Sequence, residues 1–261
     1  MGLFAPLNPL LAPWPRVRVW VIGASYGIGA ATAQELLRAG ARVAISARSE
    51  DKLRAVAAGD PRALIAPLDF TQGSDVAAAW ERIRAEWGGC DLVLIVAGTH
   101  KEIRAWELNE AEADALLEVN LNGPIATVAA VLPGLLAQGT GAIGIVSSVA
   151  GYRGLPKALI YGASKAGLIN FTETLYLDLQ PRGFGVYLIN PGFVATPLTE
   201  KNQFNMPHLI TADEAAQEII AGIERGDFEI HFPRAFTRQL KFLRLLPYRL
   251  YFAAVRKATG L

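Results

Sequence analysis

A chain of 261 residues, 52% of them apolar, has enough material for one large domain with a full core. A formal net charge of +1 excludes binding to nucleic acid through a broad basic surplus, and a single cysteine, Cys90, excludes an intrachain disulfide. Cys90 reads as a small buried apolar residue, and His100, His208 and His231 lie too far apart in sequence to suggest a metal site.

Residues 1–15 are apolar, with four prolines. They lack the basic start and long apolar run of a signal peptide. No uninterrupted apolar run reaches the roughly 18 residues of a membrane-spanning helix. The expectation is a cytoplasmic protein with an irregular N-terminal extension over 1–15.

Short runs rich in Val and Ile follow at 17–22, 41–46, 62–68, 92–96, 142–147 and 185–190, with a weaker one at 228–232. They read as buried strands. Helical stretches at 29–38, 51–57, 74–86, 110–136, 161–179 and 213–225 separate them, and Thr211 with Glu214 forms a candidate capping box for the last. Strands buried on both faces and alternating with helices predict an α/β fold. It is a Rossmann-type, doubly wound parallel sheet of about seven strands in three layers, α/β/α. One domain spans 16–233, and a basic amphipathic helical segment spans 234–261.

The first strand runs straight into Gly23-Ala24-Ser25-Tyr26-Gly27-Ile28-Gly29 and then a helix. Glycines let the backbone approach a pyrophosphate while the helix's free N–H groups face the anion. The candidate cradle is Gly23, Ser25, Tyr26, Gly27, Ile28 and Gly29. Its GxxxGxG spacing resembles the short-chain dehydrogenase/reductase family, whose usual form begins with threonine where this chain has Ile22.

Farther along, Tyr161 and Lys165 stand four apart at a helix start, which puts both side chains on one face. A nearby ammonium favours the phenolate, making a usable proton donor and acceptor. Ser148, 13 residues before Tyr161 at the end of the fifth strand, can hydrogen-bond a substrate oxygen and align it. Residues, spacing and order match the family's Ser…Tyr-x-x-x-Lys signature, and the resemblance covers residues 17–232.

The resemblance implies further roles. Asn120 matches the family's fourth catalytic residue, which holds a water linking the lysine to solvent; it also reads as a polar residue distorting its helix. Asp69, with Phe70 beside it, matches the acidic residue at the adenine ring, or serves as a turn residue. Ala97 and Gly98 leave room beside the cofactor, although Ile95 and Val96 stand where relatives carry Asn-Asn. Pro191, Gly192, Val194 and Thr196 resemble the PG-x-x-x-T segment that meets the nicotinamide carboxamide. At the end of strand two, Ala47 stands where NAD-preferring relatives carry Asp, and Arg48 follows. An arginine there attracts a 2′-phosphate, so NADP(H) is expected over NAD(H).

Tyr161 is then the general acid/base, Ser148 polarises the substrate oxygen, and Lys165 holds the ribose hydroxyls. The implied reaction is hydride exchange between an alcohol and a ketone or aldehyde. Two alternatives are weighed against it. A nucleotide-binding sensor without catalysis has no need of Asn120, Ser148, Tyr161 and Lys165 together. A carbon–carbon double-bond reductase usually spaces Tyr and Lys by six residues, not four. The segment 193–211, with Phe193, Leu198, Phe204, Met206 and Leu209, suits an apolar substrate. By analogy with the family, a homodimer or homotetramer is expected.

The tail stands apart. Residues 230–261 carry seven basic side chains and no acidic one, leaving about −6 for the remainder. Phe236, Leu240, Leu243 and Pro247 recur at three- and four-residue steps, Arg238, Lys241 and Arg244 fall on another face, and Leu250, Tyr251 and Phe252 follow. One reading packs these helices on the core or a partner subunit. The other lays them on the inner face of a membrane as a peripheral contact.

Overall fold

A computed structural model describes residues 5–200 and 206–260. Among them, β1 (Arg18–Ile22), β2 (Arg42–Ser46), β3 (Ala63–Ile65), β4 (Leu92–Ile95), β5 (Ala142–Val146), β6 (Gly185–Pro191) and β7 (Glu229–Phe232) form one sheet. Its order is β3-β2-β1-β4-β5-β6-β7, and every neighbouring pair is parallel. The helices are α1 (Gly27–Arg38), α2 (Glu50–Ala57), α3 (Gly73–Trp87), α4 (Glu110–Leu117), α5 (Gly123–Gln138), α6 (Leu159–Leu179), α7 (Ala212–Glu224), α8 (Arg234–Arg244) and α9 (Tyr248–Thr259). This is the doubly wound Rossmann-type fold.

The two-residue period of a strand divides the core. From β1, Val19 and Val21 join Leu36 of α1 and Ile219 of α7 on one face. Trp20 and Ile22 join Trp80 of α3, Val128 of α5 and Leu168 of α6 on the other. Trp20 stacks on Trp80 with centroids 6.2 Å apart and donates its indole N–H to Ser46 Oγ at 2.8 Å. Cys90 is buried, and desolvation pushes its thiol up to about 12. The capping box of α7 is formed: Glu214 N donates to Thr211 Oγ1 at 3.1 Å, and Thr211 N to Glu214 Oε2 at 2.7 Å.

Three expectations about elements need correction. The run 62–68 contributes only a three-residue strand at the sheet edge. Ala66 and Leu68 still donate to Ile45 and Ala47 of the β2 side, but Pro67 has no N–H and, among the described residues, no further strand lies beyond. The expected helix 110–136 is broken into α4 and α5 by a π-helical turn over Glu118–Asn122. Together Glu110–Gln138 is long and apolar enough by length and composition to cross a membrane, although no uninterrupted apolar run suggested it. Here it is a core helix: Thr127, Val128, Val131 and Leu135 are buried, and Gly134 lies under Trp80.

The N-terminal residues described carry no strand, yet they are fastened. Asn8 is buried; its side chain accepts from Val186 N at 2.8 Å and donates to Val186 O at 2.9 Å. It thereby satisfies β6 at a position that β7 does not reach. Trp14 is buried and donates to Glu224 Oε1 at 2.7 Å.

At the opposite sheet end from the strands' carboxyl termini, Arg18 and Asp91 tie β1 to β4. The guanidinium donates to both Asp91 oxygens at 2.9 and 2.6 Å, and Arg18 N donates to Oδ2 at 2.8 Å. A third guanidinium donor reaches Trp87 O at 3.0 Å. Asp91→Ala removes a forked, partly buried acceptor, and should lower stability by about 2 kcal/mol in urea titration while turnover stays near the parent value. A loss under about 0.5 kcal/mol would show that the fork contributes nothing beyond an exposed pair.

Candidate active site

The cavity opens at the carboxyl ends of the strands, where β1 and β4 lead their connections to opposite faces. Parallel doubly wound sheets bind ligands at such a switch point. Its volume is about 620 Å³. Gly23 at φ +93° puts its missing Cβ position 2.5 Å from Ala97 N. At Gly29 that position lies 2.1 Å from Gly23 O, so the turn and α1 pack backbone to backbone. Tyr26 caps α1 without a side-chain bond, leaving the first N–H groups facing the cavity that Ser25, Gly27 and Ile28 also line. Free helix-terminal donors beside a glycine surface are what a pyrophosphate requires. The residues present therefore fit a dinucleotide.

At the end of β2, Arg48 lines the same cavity with Ala47 and Ser49. Lys52, in the first turn of α2, lines it too, its ammonium 6.0 Å from the Tyr26 ring centroid. Asp69 and Phe70, which follow the neighbouring β3, also border the cavity. Asp69 Oδ1 accepts from Thr71 Oγ1 at 2.8 Å and Thr71 N at 3.1 Å, which holds its carboxyl below the usual carboxylate range, with Arg48 helping. It is thus a turn residue that also faces the cavity.

Ser148, Tyr161 and Lys165 converge at the far end, along with Pro191, Gly192, Val194 and Thr196. Helix α6 begins two residues earlier than expected, so Tyr161 and Lys165 occupy its first two turns. Ser148 Oγ accepts from Ala150 N at 3.1 Å, which starts the turn that carries the loop onto α6. A Cβ on Gly151 would meet Lys165 C at 2.6 Å, so that loop lies directly on the helix backbone. Ser147 Oγ donates to Lys165 O at 2.8 Å and locks the same contact.

Burial pushes the Tyr161 phenol up, and the hydrogen bond with Ser148 opposes it. Lys165 Nζ lies 5.9 Å from the Tyr161 ring centroid and donates to Val146 O at 3.1 Å. Among the described residues it has no carboxylate partner, and burial pushes its pKa down to about 8.

Asn120 is fully buried in the π-helical turn, a feature frequent at functional sites. It lies outside the cavity lining proper. Its side chain grips Thr99: Oδ1 accepts from Thr99 N and Nδ2 donates to Thr99 O, both at 2.8 Å. Both amide ends are spent on bracing the loop after β4, so the side chain itself holds this loop. Gly98 sits between Asn120 Oδ1 and Lys165 Nζ, 3.3 and 3.5 Å from where its Cβ would be. Ala97 and Gly98 both line the cavity.

Several bordering residues were not singled out from sequence. Thr199 Oγ1 donates to Val194 O at 2.6 Å and accepts from Thr196 N at 3.1 Å, bracing the segment after β6. His100 meets Tyr161 edge to face at 4.6 Å, and burial holds its imidazole below the ordinary value. Lys52 was legible as a second cation one turn past Arg48. Thr199 and His100 left no signal, since their places depend on loop paths. Within the segment 193–211, Val194 pairs with Ile210, while Phe204 lies outside the described residues.

Comparison with known proteins supplies the context. The family model for short chain dehydrogenases matches residues 18–206. An uncharacterised oxidoreductase of Myxococcus xanthus (strain DK1622) is 38% identical over 247 residues, covering 91% of this chain and 95% of the relative. One from Staphylococcus epidermidis (strain ATCC 12228 / FDA PCI 1200) is 31% identical over 201 residues, covering 77% and 87%. Among solved structures, a short chain dehydrogenase from Burkholderia cenocepacia J2315 in complex with NADP superposes with a TM-score of 0.81 at 28% identity, covering 92% and 97%.

The buried ammonium makes a stability prediction. Lysine titrates near 10.5 in the unfolded chain and near 8 here, so the unfolded state binds more protons between those values. The folding penalty is complete below pH 8 and disappears as the pH rises past 10.5. Lys165→Met should therefore raise stability at pH 7 by on the order of 3 kcal/mol, several degrees in Tm, and abolish turnover. The gain should shrink toward pH 10. A Tm at pH 7 equal to or below the parent's would show that the ammonium is not a strained group.

Proposed function

The chain belongs to the short-chain dehydrogenase family, and on that premise we propose that it is an NADP(H)-dependent oxidoreductase interconverting an alcohol and a ketone or aldehyde, with Tyr161 as general acid and base. The observation that carries this reading is the convergence of Ser148, Tyr161 and Lys165 on one end of a glycine-lined cavity. A bound nicotinamide supplies the hydride in reduction and accepts it in oxidation. Tyr161, kept protonated by burial, delivers its proton to the carbonyl oxygen as that oxygen gains charge. Ser148 donates to the same oxygen and fixes its position. Lys165 holds the ribose hydroxyls and is the positive charge that steadies the phenolate left behind. Asn120 keeps Thr99 and Gly98 in place beside it.

Preference for NADP(H) rests on Arg48 and Lys52 at the cavity wall, with Ala47 in the place where NAD-preferring relatives carry an acidic residue. The NADP complex of the Burkholderia cenocepacia neighbour is in line with it. Leu198, Val119 and Val194 give the substrate end apolar walls, which suit an apolar carbonyl compound. A homodimer or homotetramer through α5 and α6 follows by analogy, with Leu136 and Leu177 exposed on those helices. The reading places the protein in the cytoplasm.

Tyr161→Phe keeps the ring and removes the proton, so turnover should fall by about 10²- to 10⁴-fold while cofactor still binds, as read by NADPH fluorescence and steady-state rates with a panel of carbonyl compounds. More than about a tenth of parent activity would remove Tyr161 from this role. Arg48→Asp should shift the ratio of kcat/KM for NADPH and NADH toward NADH by roughly tenfold or more. An unmoved ratio would make Arg48 a surface residue only.

A further inference from the structure

The C-terminal helices are fastened to the body on one side. Thr237 is fully buried, with its hydroxyl 2.6 Å from His231 Nδ1, and Lys241 donates to Glu229 Oε2 at 2.6 Å. The Arg153 guanidinium closes the end of α8 by donating to the carbonyls of Leu243, Arg244 and Leu246 at 3.2, 3.0 and 2.6 Å. It also lies 4.0 Å from the Tyr251 ring centroid, and Tyr251 Oη donates to Gly154 O at 2.6 Å. With both helices held this way, Tyr251 and Val255 point inward and a different apolar set points outward. Phe242, Leu245, Tyr248, Leu250 and Phe252 are 50 to 80% exposed. Packing on the core accounts for the first set and leaves the second without a purpose.

The outward set is accompanied by unpaired charge. Of the seven basic residues in 230–261, only Lys241 forms an ion pair among the described residues. Arg238, Arg244, Arg249, Arg256 and Lys257 are exposed. The rest of the chain carries about −6, so the molecule is electrically polar, with its positive end at these helices. A second copy meeting this face would set like charges against each other. Aliphatic Leu245 and Leu250 between the cations offer nothing to a nucleic acid, whereas acyl chains beneath anionic headgroups match both components.

We propose that the outer face of α8 and α9 is a docking surface for an anionic lipid bilayer, with Phe242, Leu245 and Leu250 entering the headgroup–acyl boundary and the arginines meeting the phosphates. This deepens the functional reading above, on which it rests for what the bilayer delivers. Phe236, on the inner side of α8, lies 5.3 Å from Phe193 and against Gly192, so α8 packs beside the segment after β6 that lines the cavity, and an apolar substrate held in the bilayer is brought to the enzyme's surface.

The full-length protein is floated with phosphatidylcholine vesicles, with and without phosphatidylglycerol, at low and high salt. It should float with the anionic vesicles alone, and high salt should weaken binding about tenfold. The triple variant Phe242→Ser, Leu245→Ser, Leu250→Ser and the charge variant Arg249→Glu, Arg256→Glu should each lose binding by about tenfold or more while melting like the parent. The charge variant touches only exposed side chains, so it keeps the test informative where the triple variant unfolds. Both retain turnover of a water-soluble carbonyl compound. Absence of binding, equal binding to pure phosphatidylcholine, or a triple variant that changes oligomeric state on gel filtration and still binds vesicles would each overturn the proposal. Vesicle binding without turnover would support the docking surface and count against the reaction instead.

Discussion

An ammonium enclosed by the fold with no carboxylate beside it is the constraint around which the site is arranged. Lys165 is 4% exposed, and its hydrogen bond goes to the carbonyl of Val146, at the end of β5. Isolated buried charges are expensive, and a chain retains one only where the surroundings leave it no alternative position. Here Ser147 holds the lysine backbone, Gly151 brings the Ser148 loop against it, and Gly98 makes room next to its tip. Replacing any of these with a larger residue moves the lysine or the serine relative to the phenol. The glycines are thus sites of close approach, and their value lies in distances between Ser148, Tyr161 and Lys165.

Those distances are set by the sheet. Ser148 follows β5, the Gly98 loop follows β4 and the Pro191 segment ends β6, so three adjacent parallel strands deliver their carboxyl ends to one place. Gly23 follows β1 on the other side of the switch point. A cavity at this seam meets two helix faces at once, with α1 offering free N–H groups and α6 offering side chains. One element can bind an anion while another moves a proton, without either crowding the other.

How much of this was legible in the sequence follows from how local each cause is. The cradle is a run of seven residues whose glycines do local work, and the Tyr161–Lys165 pair is one helical turn, so both could be read directly. The capping box of α7 is equally local. The break at Glu118–Asn122 was legible only as a distortion at Asn120, because the residues on either side continue the helical pattern and the cause is tertiary: Asn120 turns its amide to the Thr99 backbone. Asn8 was invisible for the same reason, since its partner Val186 is 178 residues away. His100 has no neighbours in sequence that announce Tyr161. Spacing fixes which helix face Tyr161 and Lys165 share, whereas their burial, which pushes the phenol up and the ammonium down, is a tertiary property that spacing does not carry.

That last difference bears on direction. Burial raises the phenol and lowers the ammonium, so both shifts favour the uncharged form of each group. A phenol that holds its proton near neutral pH is ready to donate, which is what carbonyl reduction asks of it. Alcohol oxidation, the reverse of the proposed reaction, asks for the phenolate, which the same burial disfavours.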